Sequence, residues 1–373
     1  MIKKNLPDTF RRYLRSGITS VVDIGGPIWN FEMRKIANST EAAPRVAAAG
    51  PLISSVSRPQ LDLGDPPIVK VDTPEQGREM VRKLAVQKPD YIKIWYIVST
   101  TASAPSPGAA ASPATRPSDV EAAAVFRPIV HAVIEESHRL KLRVAVHATE
   151  LEAARASAEE GAELLVHSVT DKPVDAAFVK LLKEKGTILT PTLVVFERYG
   201  RTFSNKLELT PEEKAWGNPE IIASLDVTKL PPDKVPDRIR KATENSQMVL
   251  DNIQKTYEVA LNNLKTLEDA GVTIATGTDA GNIGTIHGPA IFREFQLMKQ
   301  AGLSPMQILQ CTTANAAKVF GGDTGPKIGS IKPGNFADLV ILKSNPVEDI
   351  KNASDIETVI KNGVVYPASS ILP

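Results

Sequence analysis

The chain has 373 residues, enough for one large α/β barrel with a small appendage or for two ordinary domains, and in either case for a sizeable core. Its 44 lysines and arginines nearly balance 43 aspartates and glutamates, which removes the basic footprint of a nucleic-acid binder or a polybasic membrane-surface protein and favours small neutral substrates. Cys311 is the only cysteine, so no intrachain disulfide can form, no apolar run approaches the length that spans a bilayer, and the opening MIKKNLPDTFRRYL lacks the apolar core of a signal peptide. As written, the chain is expected to be soluble and, by default, cytoplasmic.

Short runs rich in valine and isoleucine recur between helical patterns, the alternation of a parallel sheet built from βα units. Strands are predicted at ITSVVDI, PRVAAAG, YIKIW, RVAVHA, LLVHSV, TILTPTLVV and TIATGTDA, one short of a closed eight-stranded barrel. Between RVAVHA and LLVHSV, the run ELEAARASAEEGAE is a good helix former stopped by Gly161, so strand, crossover helix and strand follow in short order. Residues 101–118, rich in Pro, Ala and Ser, are predicted to be a loop. Ser118 with Glu121 makes a capping box for the next helix, whose Val120, Ile129, Val130 and Val133 then face the sheet. Residues 204–262 hold more helical sequence than a barrel helix needs and are expected to form an insertion or lid. From residue 326 the pattern changes to short strands separated by Gly, Pro and Asn turns, a small β element over 326–373 beside a barrel over 1–325.

Three apolar strands end in a side chain of ligand type: RVAVHA in His147, LLVHSV in His167 and TIATGTDA in Asp279. In parallel barrels the C-terminal strand ends build the site, and two imidazoles with a carboxylate suit zinc or a similar divalent ion, one or two in number, with a position left for water. Singly, a strand-end histidine is more often structural; the shared position raises the weight of all three. A fourth strand, YIKIW, buries Lys93, where an ammonium is expensive. Lys93 either pairs with a carboxylate such as Asp279 or is kept neutral by desolvation, its amine then able to take up carbon dioxide as a metal-ligating carbamate.

HATELEAARASAEEGAELLVHS, GTDAGNIGTIHG, AGLSPMQILQCTTANAAKVFG and IGSIKPGNFADLVILKSNP together resemble the amidohydrolase superfamily, in its imidazolonepropionase-like and Xaa-Pro dipeptidase-like branch, from LRSGITSVVDIGG to IKNGVVY. The resemblance implies a metal-dependent-hydrolase TIM-like barrel lacking its first strand, with the C-terminal strands forming part of a composite β-sandwich. It implies that His147 and His167 ligate a metal, that Lys93 is the carboxylated bridge, and that Asp279 touches metal and acts as base in cleaving an amide, cyclic amide or dipeptide bond. One departure stands out: the family carries a His-x-His pair at the end of its first strand, and here no histidine precedes His131. The expectation is therefore a start upstream of Met1, a partner fragment that supplies the missing part, or a catalytically inactive remnant kept as a binding or assembly partner. A metal-free barrel using Lys93 as a Schiff-base amine leaves both strand-end histidines unexplained.

His131 and His138, seven apart on one helical face, are read as structural. His287, in the loop after Asp279, is a substrate contact or a loop stabiliser. Arg198 and Tyr199, placed at the end of TILTPTLVVFE, are assigned to a substrate carboxylate or carbonyl. The glycines of DIGG and TDAGNIG lack the spacing of a phosphate-binding fingerprint. The expected partner is a small amide or peptide, with no nucleic acid or membrane, and a homo-oligomer is left open.

Overall fold

The computed structural model describes residues 2–98, 118–229, 231, 235–321 and 325–372; the loop predicted over 101–118 lies outside these except for Ser118. The chain divides into two compact units, one of residues 1–22, 33–46 and 190–373, the other of 23–32 and 47–189. Along the chain, β1 (Ser20–Asp23) and β2 (Arg45–Ala48) form a two-stranded sheet. β3 (Leu52–Ser54), β4 (Ile68–Lys70), β5 (Tyr91–Trp95), β6 (Arg143–His147), β7 (Leu164–Val166) and β8 (Ile188–Thr190) form a six-stranded sheet in the order β4-β3-β5-β6-β7-β8.

The fold class is the expected α/β with a parallel sheet. The pairings of β3 with β4 and β5, of β5 with β6 and of β6 with β7 are all parallel. Ile92, Ile94, Val144, Val146 and Leu165 are sealed from solvent, the near-continuous apolar reading of strands covered on both faces. Helices Pro74–Ala85, Asp119–Arg139 and Leu151–Glu160 connect these strands. The Asp119–Arg139 helix opens on the predicted capping box, the Ser118 hydroxyl accepting from the Glu121 amide while the Glu121 carboxylate accepts from the Ser118 amide. Its Ile129, Val130 and Val133 are buried as expected, but Val120, in the first turn, is 62% exposed.

Three strand expectations are corrected. β3 and β4 escape the sequence reading; with three residues each, they are too short to show a period. The LVV of TILTPTLVV is helical: β8 ends at Thr190, Pro191 breaks the ladder, and Thr192, in left-handed backbone (φ 49°), turns the chain into the helix Leu193–Phe203. Among the described residues TIATGTDA forms no named strand, only isolated bridge positions at Ile274 and at Ala280, the latter paired with Asn282. It is pinned instead by the segment TTANAA. The Thr276 amide donates to the Cys311 carbonyl, Thr312 Oγ1 donates to Thr276 Oγ1 at 2.9 Å, and Asn315 Nδ2 donates to the Ile274 carbonyl at 2.9 Å.

The helical excess over 204–262 resolves into Pro211–Trp216, Pro219–Ser224, Asp237–Glu244 and the 24-residue helix Ser246–Asp269. The small β element is present: β9 (Leu339–Leu342), β10 (Ile356–Lys361) and β11 (Val364–Pro367) form an antiparallel sheet in the order β11-β10-β9. Lys361 pairs with Val364 across the two-residue turn Asn362-Gly363, both at positive φ, the backbone that a tight hairpin requires. No helix among the described residues is long and apolar enough to cross a membrane.

Candidate active site

In the unit that holds the parallel sheet, register places the predicted side chains. Trp95, last in β5, lies opposite His147, last in β6, and His147 lies opposite Val166, the residue before His167. The two imidazole rings stand edge to face with centroids 4.4 Å apart, and the Trp95 ring also meets His147 edge to face at 5.8 Å. His167 is 7% exposed and leaves its strand in left-handed backbone (φ 79°), a conformation costing about 1–3 kcal/mol that histidine tolerates better than most residues. Lys93, two residues before Trp95 and 3% exposed, neighbours Ala145 of β6.

Burial foremost, then the His167 ring and the Lys93 charge, hold His147 well below its ordinary pKa, so its ring is neutral at physiological pH and carries a nitrogen lone pair. Glu150, three residues beyond His147, carries no signal in the sequence that would single it out. Burial raises its carboxyl, and one oxygen is sealed without a hydrogen-bond partner among the described residues.

The other unit holds Asp279. It too sits in left-handed backbone (φ 53°) and is half-buried. Two residues earlier, Gly277 passes so close to β8 that a Cβ there would meet the Thr190 methyl at 2.5 Å. Asn282 Nδ2 donates to Asp279 Oδ2 at 2.7 Å, and the Tyr199 hydroxyl donates to Asn282 Oδ1. Sequence reasoning misses Asn282 as well, although its place three residues after the aspartate of GTDAGN is the spacing of a local side-chain turn. His287, half-buried in the same loop, shares a 2.8 Å hydrogen bond between its Nδ1 and the Tyr13 hydroxyl, and desolvation pushes its ring down to about 4.

Tyr199 and Arg198 are not at a strand end but inside the helix Leu193–Phe203. Tyr199 is 39% exposed, whereas Arg198 is 1% exposed and ion-paired with the wholly buried Glu213 at 2.8 Å. That guanidinium is spent within the core, which corrects its assignment to a substrate. His131 and His138 face solvent and bond Glu160 and Glu163, 2.7 and 3.0 Å away, as structural residues do.

Lys93, His147 and His167 are thus brought together in one unit, and Asp279, Tyr199 and His287 lie in the other. Among the described residues no three His, Cys, Asp or Glu side chains come together as a ready cation site. As a donor set the two imidazoles fit a divalent ion in chemistry, while Lys93 fits only with its amine uncharged or converted to a carbamate.

Comparison with known proteins adds a family and a fold. The profile of the Amidohydrolase family matches residues 2–366. An ochratoxinase from Aspergillus niger is 26% identical over 245 residues, 65% of this chain and 41% of that protein, so the chain spans well under half of this relative. The crystal structure of a Xaa-Pro dipeptidase with methionine bound in its active site superimposes with a TM-score of 0.65 at 23% identity, covering 98% of this chain and 78% of that one. The structure of A. niger ochratoxinase gives 0.66 at 22% identity, covering 98% and 76%.

Proposed function

The chain belongs to the Amidohydrolase family, and from that premise we propose that it is a metal-dependent hydrolase that opens the C–N bond of a small amide, cyclic amide or dipeptide-like substrate. The observation that supports this most is the pair of imidazoles, His147, held neutral, and His167, side by side at adjacent strand ends with Lys93 on the next strand. His147 and His167 would hold a divalent ion, zinc foremost, with Asp279 and a carbamate on Lys93 as the further ligands that the family resemblance implies. One or two such ions, when bound, would acidify water and polarise a substrate carbonyl.

The remaining work falls to the protein. Asp279 takes a proton from the attacking water and hands it to the departing nitrogen, a step that matters because an amide anion is too poor a leaving group to depart unprotonated. Asn282 holds one oxygen of that carboxylate, leaving the other to exchange the proton. The Tyr199 hydroxyl, brought to this loop from the Leu193–Phe203 helix and bonded to Asn282, would meet a substrate oxygen.

The test is amine release by the purified chain, stripped of metal and reloaded with zinc, cobalt or manganese, over a panel of N-acyl amino acids, Xaa-Pro dipeptides and cyclic imides. Metal-dependent release supports the reading. Silence with every metal and substrate overturns it and leaves the alternative of an inactive barrel retained for binding.

A further inference from the structure

Trp95 contacts both one ring of the histidine pair and a cation. Its ring meets the His147 ring edge to face at 5.8 Å, and the Arg58 guanidinium lies over the same indole, 5.3 Å from its centroid. Arg58 belongs to the loop that follows β3 and is exposed, so its hold on the indole is worth only about 0.5–1 kcal/mol and yields easily to a ligand. Among the described residues no carboxylate pairs with it. The two acids nearest in the loop are turned to backbone amides instead: Asp62 accepts from Gly64 at 2.8 Å, and Asp65 accepts from Ile28 and Trp29 at 3.0 and 2.9 Å.

Asp65 thereby fastens the loop after β3 to the loop after β1, and these two loops hold Leu61, Leu63 and Ile28 out in solvent at 51%, 94% and 40% exposure. A half-buried imidazole, a flat aromatic ring, exposed apolar side chains and an exposed guanidinium thus belong to one set of strand ends and the loops beside them. Arg58 and His147 both meet the Trp95 indole, 5.3 and 5.8 Å from its centroid, so a flat group lying on that ring would have a cation and an imidazole within reach.

We propose that Arg58 and Trp95 form a carboxylate subsite, and that the preferred substrate is an amide in which a flat apolar group separates the carbonyl from a carboxylate. This rests on the reading of His147 as part of the reacting end. It goes beyond that reading in naming the anionic class. The carboxylate receives guanidinium hydrogen bonds from Arg58, the flat group lies against Trp95, and Leu61 and Leu63 lose exposed apolar area to the ligand.

The test is calorimetric titration of the full chain carrying Asp279→Asn, which prevents turnover, with 4-acetamidobenzoate and its neutral carboxamide as probes. The acid is expected to bind about tenfold tighter than the carboxamide, the size of one charge-assisted interaction. Arg58→Gln brings the two affinities together, and Arg58→Lys restores part of the gap. Arg58 is exposed, so its substitution leaves folding intact. Equal binding of both probes, no binding of either at millimolar concentration, or a preference that survives Arg58→Gln overturns the subsite. If the preference holds while the wild-type chain hydrolyses nothing with any metal, the subsite stands and the hydrolase reading falls; if the chain hydrolyses amides without the preference, the hydrolase reading stands and the subsite falls.

Discussion

The strand ends that carry His147 and His167 and the stretch that carries Asp279 hold their side chains by opposite means. β5, β6 and β7 form a continuous parallel ladder, so register alone brings the rings of His147, Trp95 and His167 into contact. The stretch 272–280 has no such ladder among the described residues, and side chains do the holding: Thr312 and Asn315 pin its backbone, and Asn282 pins the carboxylate. A ladder spreads positional control over many backbone bonds, so single substitutions disturb it little. A position set by a few side-chain bonds is vulnerable one residue at a time.

The largest expected effect breaks the second region at its functional atom. Asp279→Asn lowers kcat about 10²–10⁴-fold, the usual worth of a general base, while Tm stays near wild type; substantial retained turnover removes Asp279 as the base. Next comes the buried support of the Leu193–Phe203 helix. Glu294 has no exposed surface and accepts from the amides of Leu193 and Val194 at 2.9 and 2.7 Å, in place of the cap that Thr192 does not supply. Glu294→Ala leaves two buried donors unpaired and costs about 2–5 kcal/mol in urea unfolding, with Glu294→Gln costing less because one acceptor survives. Equal losses for the two variants would mean that packing rather than hydrogen bonding sets the cost.

A smaller effect sharpens the comparison. Asn282→Ala frees both the Asp279 carboxylate and the Tyr199 hydroxyl and should lower kcat about tenfold with KM little changed, the signature of a positioning group. An equal rise in KM would place Asn282 in substrate binding instead.

The smallest effect is a pH dependence. The His287 ring takes its proton near 6.5 when unfolded and near 4 when folded, so between these values the unfolded chain binds more protons. The stability His287 contributes above about pH 6.5 is lost as the pH falls through 4. Urea midpoints at pH 7 and 4.5 should therefore differ less in His287→Gln than in wild type, and identical differences would contradict the assignment.

The same contrast explains what could be read from the sequence. YIKIW, RVAVHA and LLVHSV announce themselves as apolar runs of strand length, and the ligand-type residue at the end of each run is set by local pattern plus register. The capping box at Ser118 and the Asn362-Gly363 turn are likewise local chemistry. What the sequence conceals depends on distant partners. LVVF becomes a helix because Thr192 turns the chain and Glu294, about a hundred residues away, caps the free amides. TIATGTDA alternates like a strand, but its bonds go to the helical segment carrying Thr312 and Asn315. Arg198 reads as a strand-end group for a substrate until its ion pair with the buried Glu213 is seen.

The most direct measurement is a cobalt(II) titration of the metal-free chain followed by visible absorption. Wild type should take up the ion with bands diagnostic of imidazole ligation; His147→Ala and His167→Ala should each abolish them, and the solvent-facing control His131→Ala should not. A wild-type chain that shows no cobalt spectrum, or a spectrum untouched by both strand-end substitutions, would contradict the assignment of His147 and His167 as metal ligands.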